Sequence, residues 1–318
     1  MKPFLRKELL SVIAGTPPQT PWDLASMRGE GNRMFAGVVA DLGGVALEVL
    51  SIPGGDGQAL ELRRFTPGNV TSKTGVTEGA IEGKTNLSAV LVSIHGGGYV
   101  AGRARFDDVK NAELARVLRS IVLSPDYRLV PEFPVGCAIA DCVATLHEAV
   151  RVGEEHGVPV FVFGDSAGGG LAFYALERLL TEADGESVEG MILLEPCLDP
   201  RCATESMETC ADAPVWTARA NREAWALAAP DSSFREDLVR TLTDPHVLSG
   251  FPRCVIVVNP ADPLRDEGLD LARRLAECGV AAEAHMYAGT FHGALSVPGT
   301  HTWSEIKTLL RRFMDVSQ

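Results

Sequence analysis

A chain of 318 residues with 46% hydrophobic and 22% charged side chains can bury a sizeable core without staples, and could hold one large α/β domain with an insertion. Its formal net charge of -13 argues against nucleic acid and anionic membranes as partners, since both demand clustered Lys and Arg. No basic run reverses that balance, so the acidity reads as a solubility device.

The first residues place Lys2, Arg6 and Lys7 ahead of the apolar stretch Leu9 to Ala14. That stretch is short, Ser11 interrupts it, and no small-x-small cleavage signal follows. An amphipathic surface helix is the expectation, and with no run near the ~20 apolar residues of a membrane span, so is a cytoplasmic protein. Val45 to Ile52 and Ala59 to Phe65 alternate apolar with polar residues around Pro53-Gly54-Gly55-Asp56-Gly57, which predicts an antiparallel hairpin at a sheet edge. The polar, Gly/Thr-rich stretch Thr66 to Asn86 predicts a surface loop.

From residue 89 short apolar runs alternate with longer amphipathic ones. Strands are expected at Ala89–Ile94, Ile121–Leu123, Val160–Phe163, Met191–Leu194, Val255–Val258 and Ala282–Tyr287. Helices are expected at Asp108–Arg119, Gly136–Val152, Ala167–Leu180, Glu267–Glu277 (stopped at Gly279) and Ser304–Met314. This order implies a mostly parallel central sheet of about eight strands with helices on both faces. Two segments fall outside the alternation, 1–44 and 197–250, and the second reads as helical around Pro214 to Ala229. They are expected to pack together as a helical cap, with the core divided into 45–196 and 251–318. The seven cysteines, at 137, 142, 197, 202, 210, 254 and 278, form no C-x-x-C pair and offer no metal-ligand spacing. They read as small apolar residues in a reducing compartment.

Gly164-Asp165-Ser166-Ala167-Gly168 is a G-x-S-x-G motif between an expected strand and an expected helix. That context suits a serine on a tight, strained turn, whose neighbours must be small. His95-Gly96-Gly97-Gly98 ends the first central strand, and three glycines in a row suit a backbone that something must approach closely. An oxyanion is the expected visitor, held by the N–H groups of Gly96, Gly97 and Ala167, while His95 reads as structural. A serine hydroxyl needs a base, and the base an orienting acid. A serine elbow goes with the chain order Ser, acid, His. Of the downstream histidines, His246, His285, His292 and His301, only His292 lies in a loop just after the last expected strand. Asp262 follows the strand before it, with Asp266 as the second candidate at the start of a helix.

Together with Asp126-Tyr127-Arg128-Leu129-Val130-Pro131-Glu132, Asp262-Pro263-Leu264-Arg265-Asp266-Glu267 and Gly289–Gly293, these segments resemble the hormone-sensitive-lipase-like branch of esterases and lipases. The resemblance covers roughly residues 60–196 and 251–315. It implies an α/β-hydrolase fold, a Ser166–His292–Asp262 triad, no metal or other cofactor, and hydrolysis of a small-molecule ester with a short to medium acyl chain. The expected pocket draws on Tyr99, Val100, Phe106, Trp216, Trp225 and Phe291. The chain departs from the family at Gly170, where Asn is common, at Leu146, where Trp is common, and at Glu195, where a neutral residue is usual. A carboxylate at 195 either faces the cavity and selects polar or cationic groups, or pairs with a nearby Arg or with cap backbone. Two other function classes stay open. One is a triad hydrolase dedicated to an amide, lactone, carbamate or single natural-product ester, and the other a non-catalytic binding protein on the same fold. A homodimer stays open as well.

Overall fold

The computed structural model describes residues 4–15, 23–34, 41–68, 87–182 and 187–315. Eight strands form one sheet: β1 (Ala46–Pro53), β2 (Ala59–Thr66), β3 (Ala89–Ile94), β4 (Ser120–Pro125), β5 (Val160–Asp165), β6 (Gly190–Leu194), β7 (Arg253–Val258) and β8 (Ala282–Met286). Their order across the sheet is β1-β2-β4-β3-β5-β6-β7-β8. β1 and β2 form the expected antiparallel hairpin, and β2 also pairs antiparallel with β4. Every other pairing is parallel.

The helices are α1 (Leu10–Gly15), α2 (Leu24–Met34), α3 (Asp108–Leu118), α4 (Val135–His156), α5 (Ala167–Thr181), α6 (Ser206–Thr209), α7 (Ala218–Ala228), α8 (Ser232–Thr243), α9 (Pro245–Leu248), α10 (Arg265–Glu277) and α11 (His301–Asp315). Along β3, Val90 and Val92 join the core beneath α4, α5 and α10, while Ala89 and Leu91 join the core beneath α3 and α11. β5 and β7 alternate in the same way. A strand covered on both faces buries every residue, which is why these segments read as unbroken apolar runs in the sequence. β8 is an edge strand, with Met286 exposed.

Most of the expected surface loop at Thr66 to Asn86 lies outside the described residues. The amphipathic N-terminal helix is present: Leu9 is buried against Phe291, Ala261 and Ala294, with Leu5, Val12 and Ile13 packed around them. Described residues of the two segments expected to form a cap meet in two places: Val215 joins the cluster around Leu9, and Met27 lines one cleft with Val215 and Trp216. Residues 4–15 also clasp the region after β8. The Arg6 N–H donates to the Gly289 carbonyl (2.9 Å), and the Glu8 carboxylate caps α11 at the His301 and Thr302 N–H groups. From the insertion, Val215 packs against the same cluster as Leu9. The insertion itself carries α6 to α9, and Pro214 to Thr217, expected to be helical, are irregular, because Val215 takes a left-handed φ of 68°. All seven cysteines are free thiols, four buried and three half-buried. No helix among the described residues is long and apolar enough to cross a membrane.

Leu91 is fully buried in the middle of the sheet, so Leu91→Ala removes contacts that the rigid layers cannot close over. Urea denaturation should show a loss of about 2–5 kcal/mol.

Candidate active site

Six parallel strands in a row deliver their following loops to one edge of the sheet, and the candidate catalytic residues sit there. Ser166 follows β5 directly, at φ 57° and ψ -121°. A non-glycine residue in this region is strained, and the strain persists because the surrounding backbone leaves no alternative. Gly168 shows how tight the turn is: a Cβ there would lie 2.1 Å from the Ile94 carbonyl oxygen. The glycine loop after β3 is equally close, for a Cβ on Gly96 would meet the Ser166 Cβ at 3.2 Å.

The Ser166 hydroxyl lies 2.8 Å from His292 Nε2, and His292 Nδ1 lies 2.9 Å from an Asp262 carboxylate oxygen. A carboxylate can only accept, so Nδ1 carries the proton and Nε2 is left to accept from the serine. All three side chains are buried or nearly so. Asp262 is fixed in turn by the Leu264 N–H (2.9 Å) and the Asn259 amide (3.1 Å). Burial opposes charge on the His292 ring, but Asp262 and then Glu195 outweigh it and raise the pKa to about 9. His95, by contrast, donates from Nδ1 to the Gly96 carbonyl (2.7 Å) and stacks on Tyr127, and burial holds it below its ordinary value. It shapes the loop, as the sequence suggested.

A family model described as alpha/beta hydrolase fold matches residues 91–296. The chain belongs to that family. An esterase of Gibberella moniliformis is 28% identical to this α/β hydrolase, covering 75% of this chain and 82% of its own length. The carboxylesterase NlhH of Mycobacterium tuberculosis is 32% identical over 66% of this chain and 68% of its own. Among solved structures, bacterial heroin esterase superposes with a TM-score of 0.81 at 30% identity, over 98% of this chain and 97% of that one. A thermostable esterase from Pseudomonas putida, at 23% identity and a TM-score of 0.85 over 99% and 98% of the two chains, shares the fold.

In this α/β hydrolase a cleft of about 360 Å³ opens above Ser166 and His292. Of the pocket residues expected from sequence, Phe106, Trp216 and Glu195 line it. Tyr99, Val100, Trp225 and Phe291 do not, because each is enclosed in packing. Tyr99 donates to the Cys197 carbonyl (2.6 Å) and lies against Trp225, while Phe291 sits under the N-terminal helix. The departure at Gly170 has the same origin: a Cβ there would lie 2.1 Å from both the Tyr99 hydroxyl and the Cys197 carbonyl. Leu146, the second of the three departures, is fully buried in α4. Asp266, the second acid candidate, binds the Ser206 N–H (2.7 Å) and Arg265, latching α10 to the insertion away from His292.

Several cleft residues had no sequence signal. Met27 and Val215 come from the two segments outside the alternation. Lys110, in α3, reaches Asp107 (2.8 Å) and Asp165 (3.3 Å). Although burial disfavours its charge, these two carboxylates hold its pKa above the usual value. Asp165 also accepts from Ser296, so the elbow is tied both to α3 and to the loop after His292. Asn259 bridges Asp262 and Glu195. The one set of three potential metal ligands grouped among the described residues, Glu195, Asp262 and His292, is this same hydrogen-bonded cluster.

Gly168→Ala should push the elbow off the Ile94 carbonyl and move the serine. A displacement of an ångström can cost about 10²-fold, so kcat should fall by roughly that factor in single-turnover measurements.

Proposed function

We propose that the chain is a serine carboxylesterase acting on small esters of short to medium acyl chain, with Ser166 as nucleophile, His292 as general base and Asp262 as orienting acid. The continuous hydrogen-bonded line from the Ser166 hydroxyl through His292 to Asp262 carries this reading. Its relatives' names, esterase and carboxylesterase, support the reaction class. Ser166 attacks the ester carbonyl as His292 Nε2 takes its proton. The N–H groups of Gly96, Gly97 and Ala167 are read as the donors to the tetrahedral oxyanion. The imidazolium then protonates the leaving alcohol, and the collapse leaves an acyl-enzyme. Water, deprotonated by the same nitrogen, attacks it and releases the acid and the serine.

The limit to short and medium acyl chains rests on the cleft. Trp216 lies flush on Gly98, where a Cβ would meet the indole at 2.5 Å, and its ring lies 5.9 Å from that of His292. The indole N–H donates to the buried Asn221 (3.3 Å), which fixes the wall in place. The 1–44 and 197–250 segments are read as the cap that supplies this wall.

Ser166→Ala should abolish both hydrolysis of p-nitrophenyl acetate and labelling by a fluorophosphonate; a variant that keeps full activity ends the assignment. The base must be neutral to work, so kcat/KM should be full at alkaline pH and fall as the pH drops through the His292 midpoint. That midpoint should lie above the ~6.5 of a free imidazole. Trp216→Ala should shift the best substrate toward longer acyl chains in a series of p-nitrophenyl esters, and should lower thermal stability, because the indole is only 5% exposed.

A further inference from the structure

Glu195 directly follows β6 and is 1% exposed, with a left-handed φ of 39°. A carboxylate is rarely buried so completely without a cationic partner, and no arginine or lysine pairs with it among the described residues. It lies at the cleft, yet one oxygen accepts from the Gly293 N–H (2.8 Å), next to the base, and the other from the Asn259 amide. That amide also donates to Asp262. Glu195, Asp262 and His292 each place an N or O atom within 4.8 Å of those of the other two.

We propose that Glu195 is a second acid of the site, a positioning residue that acts on His292 without touching substrate. The proposal rests on the triad reading above. Its first part is mechanical. By holding the Gly293 N–H, the carboxylate pins the loop that carries the base, and by sharing Asn259 it ties that loop to Asp262. Its second part is electrostatic. When Ser166 gives up its proton, positive charge appears on a buried ring, and two carboxylates rather than one stabilise it.

The charged groups around the ring are few. Asp262 faces it from the loop after β7, Glu195 from the end of β6, and Asp165 from the elbow, the last already paired with Lys110 of α3. Desolvation pushes Glu195 well above the ordinary carboxylate range, with His292 pulling the other way and Asp165 and Asp262 adding to the rise. Glu195 and His292 therefore titrate as one unit, and proton uptake by the pair belongs to both.

Glu195→Gln tests the electrostatic part, because the amide oxygen can still accept from Gly293 while the charge is gone. The acidic limb of kcat/KM should move down by about one pH unit, and kcat should fall about tenfold at unchanged KM. Glu195→Asp should restore the wild-type limb. A limb that stays at the wild-type pH in Glu195→Gln overturns the proposal. If Glu195→Gln fails to fold, Glu195→Met decides, because it replaces the charge with an apolar side chain of similar length. Its acidic limb should move down likewise, and a limb at the wild-type pH overturns the proposal. Ser166→Ala keeps the two readings apart, since a protein that loses all activity there while its Glu195→Gln limb is unmoved rejects the second acid alone.

Discussion

The site depends on one buried imidazole held between an acceptor-only carboxylate and a hydroxyl. The Asp262 contact at Nδ1 decides the tautomer, and the tautomer decides that Nε2 can receive a proton from Ser166. Neither contact is local: the serine and histidine are 126 residues apart, and the histidine and aspartate 30. They meet because β5, β7 and β8 run parallel in one sheet and release their loops at the same edge. The sheet is thus the positioning device, and the surrounding loops supply its chemistry.

The parts of the molecule legible in the sequence are those governed by short-range rules. Every expected central strand is present, because a strand covered on both faces must be apolar throughout, as Ala89–Ile94 and Val160–Phe163 are. The elbow could be read because its tight turn admits only small neighbours, and the His95–Gly98 loop because few other circumstances favour three glycines in a row. The position of His292 followed from strand order alone.

What stayed hidden depends on which residues happen to meet. Tyr99, Val100 and Phe291 stand beside the motifs in sequence and Trp225 lies in the insertion, yet all point into packing, and nothing in their spacing separates a wall from the layer behind it. Asn259, three residues before Asp262, looks like an ordinary strand-end residue until its amide is seen between two carboxylates. Lys110 lies on a helix whose apolar pattern gives no sign that one polar position turns inward to Asp165. Irregular backbone at Val215 could not be foreseen either, since a β-branched residue is a poor guess for a left-handed conformation.

The crowding around Gly170 constrains how this chain can change. The phenol oxygen of Tyr99 occupies the volume that any side chain at 170 would need, and that same oxygen satisfies the Cys197 carbonyl on the loop leading into the insertion. Positions 99 and 170 are therefore coupled through the Cys197 carbonyl: a side chain at 170 needs both the phenol and that carbonyl displaced, and losing the tyrosine alone takes a donor from the carbonyl. No single substitution converts one arrangement into the other.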